Sequence, residues 1–177
     1  MTKKETPISE GMRKLPIRPV YLVSCSDGQR RSIISVGMFA FFSSKPTLVG
    51  VGLAPSRFSY ELIRRSGEYV VNVVDEKLMD AVRVCGENSG RDTDKFKLAT
   101  LTAEKGAKVA APLILESPVS IECKVVKEVE TGDHVWFIGE VLATRVRKDY
   151  EWHDGLLFKW IGERGLYFKS GEKIGDY

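Results

Sequence analysis

The sequence predicts a mainly β protein in which six or so antiparallel strands close, or nearly close, into a barrel with a few short helices inserted. Three observations lead there. Short apolar runs are separated by turn signals such as Asp27-Gly28 and Thr131-Gly132-Asp133. Two long strand patterns follow one another from Val119 to Val146 with no helix between them, which excludes a doubly wound parallel fold. Closure then removes the exposed edges that an open sheet of this length would carry.

Composition sets the class. The chain has 177 residues, 43% hydrophobic and 29% charged, which suits one globular domain. Its net charge of +3 comes from 27 basic and 24 acidic residues of mixed placement, so neither nucleic acid nor an acidic membrane is demanded as partner. The longest uncharged stretch in the first half, Ser32 to Ser44, holds 13 residues against the roughly 20 that a spanning helix needs. Met1 to Lys14 is polar with no apolar run behind it, so no secretory signal is read and a cytoplasmic protein is expected. Cys25, Cys85 and Cys123 form no Cys-x-x-Cys pair and read as reduced, buried thiols, with no metal site expected.

In chain order, residues 1–18 read as a flexible arm with Pro7, Gly11 and Pro16, and residues 19–177 as the domain. A first strand, Val20 to Ser26, turns at Asp27-Gly28 into a second around Ser32 to Ser35. Ser35-Val36-Gly37-Met38 then offers backbone groups and hydroxyls beside the greasy run Phe39-Ala40-Phe41-Phe42, a combination that suits a flat ligand with a polar rim. The strand Thr47 to Leu53 carries Val49, Val51 and Leu53 on one face and Gly50 and Gly52 on the other. Glycine inside a strand often marks close approach by a ligand or another backbone.

A helix follows from Arg57 to Ser66, with Ser56 as N-cap, Arg64 and Arg65 in the last turn and Gly67 as the stop. Its N-terminus beside Ser56, Arg57 and Ser59 is a ready anion site. It can equally be an ordinary capped helix packing Phe58, Leu62 and Ile63 into the core. Tyr69 to Val74 is apolar on both faces and belongs in a covered part of the sheet. A second helix, Glu76 to Cys85, takes Asp75 as cap, Gly86 as stop and Leu78, Met79, Val82 and Cys85 as its apolar face.

The polar stretch from Glu87 to Phe96 is either a solvated loop or one that folds over a ligand with Arg91, Lys95 and Phe96. From Val119 to Val129 apolar side chains alternate with polar ones, as in a half-buried strand. Val135 to Ile138 of the next strand is apolar on both faces, so another subunit, the C-terminal segment or a cofactor should cover it. One or two short strands, Gly155 to Trp160 and Leu166 to Lys169, precede a trailing end from Ser170 to Tyr177.

At this point the residues resemble a known family, the flavin reductase-like flavoproteins with an FMN-binding split barrel, including the flavoredoxin branch. The resemblance is carried by Phe42-Ser43-Ser44-Lys45-Pro46, by the run from Leu53 to Ile63, by Gly67-Glu68-Tyr69-Val70-Val71-Asn72, by the run from Ser89 to Phe96, and by Gly132-Asp133-His134 with Phe137-Ile138-Gly139-Glu140-Val141. These five blocks fall in order between about Pro19 and Val146. The first 18 and last 30 residues are not part of it.

The resemblance implies a six-stranded antiparallel Greek-key split barrel, assembled as a homodimer with one FMN per subunit near the interface. It places Ser35, Val36, Gly37 and Met38 along the isoalloxazine, with Ser43 and Ser44 close by. Arg57, Ser59 and Tyr60 would hold the ribityl phosphate, and Arg91, Lys95 and Phe96 belong to the loop that closes on the cofactor. His134 would meet the nicotinamide of NADH or NADPH at the flavin or tune a proton there, or simply serve its hairpin. The implied activity is transfer of electrons from NAD(P)H through FMN to free flavin, ferric iron or another small-molecule or protein acceptor. The alternative is a flavoredoxin-type carrier with tightly held FMN and no dinucleotide site. The chain departs from the family in lacking the Asn or Thr that many members place at Ser35-Val36-Gly37, and it holds no Rossmann fingerprint.

Overall fold

The computed structural model describes residues 2–15, 18–151, 157–159 and 167–170. In chain order the elements are α1 (Ile8–Met12), β1 (Arg18–Pro19), β2 (Tyr21–Ser26), β3 (Arg31–Val36), β4 (Phe39–Ser44), β5 (Thr47–Leu53), α2 (Phe58–Ser66), β6 (Glu68–Val73), a 3-10 turn (Glu76–Leu78), α3 (Met79–Glu87) and α4 (Lys95–Leu98). The second half adds β7 (Ala103–Glu104), β8 (Leu113–Ile114), β9 (Val119–Thr131), β10 (His134–Val146), β11 (Leu157–Lys159) and β12 (Tyr167–Lys169). Seven of these strands make one antiparallel sheet in the order β3-β2-β6-β9-β10-β5-β4. Just before β4, the Gly52 N–H of β5 donates to the Met38 carbonyl at 2.9 Å and extends the β4–β5 ladder by one rung back toward the end of β3.

Local chemistry explains the hairpins. Between β2 and β3, Asp27 accepts the Gln29 and Arg30 N–H groups at 3.1 and 2.8 Å, and Gly28 takes a positive φ of 88°. Between β9 and β10, Gly132 does the same at 64°. The expected six strands become seven because Phe39–Ser44 pairs with β5, from Phe39 against Val51 to Ser44 against Thr47. Its first four residues are half-buried or exposed, so no alternating pattern announced it.

Two apolar layers flank the first strands. Val23 and Cys25 of β2, Tyr69 and Val71 of β6 and Phe137 of β10 fill the barrel with Leu62 and Ile63 of α2. Leu22, Ile33, Val82, Cys85 and Phe96 form a second cluster that packs α3 and α4 against the outside of the sheet. The doubly apolar reading of β6 holds, since Val70 meets Val109, Ala111 and Leu113 on the opposite side from Tyr69.

The helices deviate by small steps. The N-cap of α2 is Arg57, not Ser56, because the chain stays extended one residue longer, at φ −81° and ψ 136°. Asp75 caps the 3-10 turn by accepting the Lys77 N–H, but α3 runs through Gly86 to Glu87. Ala81 joins its buried face and Met79 is exposed, because that tight first turn rotates Met79 outward. The arm forms the short helix α1, with no buried residue. Trp152, His153 and most of the expected trailing end lie outside the described residues. No helix among the described residues is long and apolar enough to cross a membrane.

Buried polar groups tie the strands. The Asn72 amide donates to the Leu22 carbonyl (3.0 Å), Ser24 Oγ (2.9 Å) and the Val70 carbonyl (3.3 Å), and it accepts from Ser120 Oγ (2.8 Å) and the Ile114 N–H (3.2 Å). Glu122 is fully buried, and its carboxylate accepts the N–H groups of Ala107, Lys108 and Val109 at 3.1, 2.7 and 3.1 Å. Ser120 and Glu122 are therefore buried while Ile121 is only partly so, which reverses the alternation expected at the start of β9. The polar face there meets the loop before β8 instead of solvent.

Candidate functional site

Where β3 ends and α2 begins, two adjoining cavities of about 230 and 150 Å³ share Ile34, Ser35 and Arg57 and form one trough. The larger is lined by Ser32, Ser56, Ser59 and Lys95 and walled by Gly86 to Gly90. The smaller is lined by Val36, Gly37, Met38, Gly52, Ala54 and His134. The turn after β5, closed by the Arg57 N–H on the Ala54 carbonyl at 3.0 Å, starts α2 at the wall of the larger cavity. The first turn of a helix has N–H groups without intrahelical partners, so this end carries partial positive charge.

Lys95 gives the larger cavity its second positive group. It is 5% exposed, and its Nζ donates to the Cys85 carbonyl at 2.7 Å with no carboxylate partner among the described residues. Burial pulls its pKa below the ordinary amine value, with nearby Cys85 and Cys25 opposing and Arg57 reinforcing that shift. Asp94 places it, because that carboxylate accepts the Phe96 N–H at 3.0 Å and starts α4 at Lys95. An ammonium held this way, beside a helix N-terminus and the Arg57 guanidinium, is suited to an anion.

The loop that closes the larger cavity is pinned from outside. Arg91 makes a bidentate pair with Glu61 of α2, while Arg30 Nη2 donates to the Gly90 and Arg91 carbonyls at 3.2 and 2.7 Å. Both guanidiniums stand over the Phe58 ring, at 4.2 Å for Arg30 and 5.4 Å for Arg91. Gly90 lies so close that a Cβ there would collide with Ser32 Oγ and reach 3.1 Å from the Phe58 ring. Arg31 adds an ion pair to Asp94 at 3.3 Å.

The sequence-derived site residues divide accordingly. Ser35, Val36, Gly37, Met38, Arg57, Ser59, Lys95 and His134 all line the trough. The Ser35 hydroxyl is already committed to the Val82 carbonyl, so its neighbours offer mainly backbone. His134 Nδ1 is 2.7 Å from Asp133 Oδ1. Arg91 faces Glu61 rather than the cavity. Tyr60 packs in the barrel against Phe137, ring centroids 5.4 Å apart, and its hydroxyl accepts from Arg64. Phe96 is buried under Arg31 on the outer layer.

Ser43 and Ser44 serve the β4–β5 turn, where Ser43 Oγ accepts the Lys45 N–H and the Ser44 carbonyl accepts from Thr47. Ser32 and the wall from Gly86 to Asn88 were missed. Ser32 alternates with Ile33 along β3, a signal that could have marked it as facing away from the outer apolar layer.

Beyond the trough, Gly50 and Gly52 flatten the outer side of β5. A Cβ on Gly50 would come within 2.6 Å of the Phe42 ring, and one on Gly52 within 3.1 Å of Met38. Phe42 meets Trp136 edge to face at 5.9 Å, yet Phe41 and Phe42 remain 62% and 48% exposed.

Residues 12–162 match the family described as flavin reductase like domain. An uncharacterised protein of Archaeoglobus fulgidus is 37% identical over 72% of this chain and 71% of its own length. A ferric-chelate reductase (NAD(P)H) of the same organism is 30% identical over 75% of this chain and 78% of its own. Among solved structures, the flavoredoxin of Desulfovibrio vulgaris (Miyazaki F) superposes with a TM-score of 0.85 at 26% identity, covering 99% of this chain and 97% of that one. With its family match spanning most of its length and its split barrel shared with a flavoredoxin, the chain belongs to the flavin reductase-like family.

Proposed function

We propose that the protein is an FMN-dependent oxidoreductase that takes electrons from NADH or NADPH and passes them to a small acceptor such as free flavin or ferric iron. The observation that carries this reading is the continuous trough with an anion site at one end and His134 at the other. The residues fit FMN. A buried amine without a carboxylate partner is costly unless an anion meets it, and the start of α2 lines the same cavity. Lys95, Ser59, Arg57 and the first turn of α2 would hold the phosphate, while the backbone from Ser35 to Met38 would meet the polar edge of the ring.

Bound FMN supplies hydride acceptance and onward electron transfer, chemistry that no side chain here has. The protein's part is placement. Lys95 and the helix end fix the anionic tail. The Gly86–Gly90 wall, clamped by Arg30 and Arg91, keeps water from that end. His134, whose Nδ1 is tied to Asp133, keeps Nε2 for a dinucleotide or a proton. A second copy of the chain would cover Phe41, Phe42 and Trp136, giving a homodimer, and three buried free thiols suit the reducing cytoplasm.

The test is an absorbance spectrum from 300 to 600 nm of purified protein loaded with FMN, recorded before and after anaerobic addition of NADH or NADPH. Flavin bands that bleach within seconds are expected. Bands that bleach only with dithionite would instead support the flavoredoxin-type carrier, which the structural likeness to flavoredoxin favours. Failure to retain any added FMN would overturn both.

A further inference from the structure

A third cavity, of about 260 Å³, lies beside the trough and plays no part in the proposed reaction. It is walled by Arg18, Tyr21, Phe39 and Trp136, and it shares Gly37 and Met38 with the smaller trough cavity. Three of its walls are aromatic. Tyr21 and Phe39 lie with ring centroids 4.5 Å apart at 39°, and Phe42 holds Trp136 from behind, edge to face. Gly52 keeps the space beside Met38 and Trp136 clear, since a Cβ there would stand 3.1 Å from the one and 3.4 Å from the other. A Cβ on Gly37 would meet nothing within 4 Å, so the main chain leaves that side open.

Arg18 is the only charged residue in this wall, and it has no ion pair among the described residues. Burial, reinforced by Tyr150, pushes the Tyr21 phenol up, which keeps it protonated and able to donate. A guanidinium presents a planar fork that matches the two oxygens of a carboxylate. Ring faces favour a flat apolar body with offset or edge contacts. A neutral ring would leave Arg18 without a partner, and a sugar or a bare phosphate would set polar groups against three aromatic walls. The space is too small for a second flavin.

We infer that this cavity binds a small planar aromatic carboxylate, with Arg18 at its charged end and Tyr21, Phe39 and Trp136 around its ring. The site adjoins the flavin trough at Gly37 and Met38 and is otherwise lined by its own residues. It stands whether or not the trough takes FMN.

The experiment is a ¹⁹F NMR titration of the full chain with 4-fluorobenzoate, in the presence and absence of FMN, using uncharged 4-fluorobenzamide as the comparison. A saturable shift with 4-fluorobenzoate is expected, with the benzamide at least tenfold weaker. Arg18→Gln should remove that difference, and Phe39→Leu, which keeps the charge, should weaken both ligands severalfold. FMN affinity, read separately from flavin fluorescence, should not change in either variant. A chain that binds 4-fluorobenzoate but not FMN would therefore strike the flavin reading and leave this one standing. Equal binding of the acid and the amide by the native chain, displacement of 4-fluorobenzoate by FMN, or loss of its binding as the chain self-associates would each overturn the inference.

Discussion

In the proposed FMN site Lys95 would serve two opposed ends. Its buried ammonium has one carbonyl for a partner, so the flavin-free chain is less stable for holding it charged, while a phosphate needs that same charge. Because burial lowers its pKa from 10.5, the folded flavin-free chain binds fewer protons than the unfolded chain between the lowered value and 10.5. Stability of the flavin-free protein should therefore rise with pH across that interval, and FMN affinity should fall. Lys95→Met should raise the flavin-free melting temperature and flatten its alkaline slope. It should also weaken FMN by about 1.5–3 kcal/mol, the usual worth of a hydrogen bond to a charged group. Thermal melts with and without FMN test both halves, and unchanged FMN affinity in the variant would remove Lys95 from the site. Lys95 was legible as a candidate from the polar stretch Glu87 to Phe96, as one of two readings, and again through the Ser89-to-Phe96 block. Its burial was not, since that depends on the Asp94 cap and on Phe96 turning the other way into the outer layer. On so short a helix one residue's step separates cavity from core, so Phe96 packs under Arg31 while Lys95 beside it lines the trough; on α2, Tyr60 likewise packs into the barrel while Ser59 lines the trough.

Strand β10 shows how an element is shaped by one small residue. A bulge lies between Ile138 and Gly139, and the Tyr69 hydroxyl fills the space beside Gly139 while donating to the Val49 or the Phe137 carbonyl. A Cβ at Gly139 would reach 2.6 Å from that hydroxyl and 3.0 Å from Cys123 Cβ. Gly139→Ala should thus cost about 1–3 kcal/mol, measured by urea unfolding. Tyr69→Phe in the same chain should recover part of the loss, and if it recovers none the crowding lies elsewhere. The hairpins were readable because Asp27-Gly28 and Gly132 must supply turn geometry whatever the rest of the chain does. Strand β4 was not, because its partner β5 has glycines where cross-strand side chains would have revealed a face. The start of β9 misled for a related reason: Glu122 is polar in sequence but is buried by a loop that reaches it from residues 107–109.

For the whole molecule, Gly50 of β5 leaves room for Phe42 to stand against Trp136, with Phe41 exposed next to it in the chain. If a second copy covers these rings, a Phe41→Asp, Phe42→Ser double variant should sediment as a monomer where the native chain is a dimer. Sedimentation velocity over a hundredfold range of concentration decides this, and an unchanged dimer would place the interface on another face. The middle of the sheet is checked by Asn72 of β6, whose amide reaches β2, β9 and Ile114 of β8 at once. If β9 slipped by one residue against β6, Ile121 would replace Ser120 at that amide, and a buried acceptor would lose one of its two donors. Asn72 thereby acts as a proofreader of strand alignment. Sheets assembled out of step carry a penalty at one position, felt before any ligand arrives.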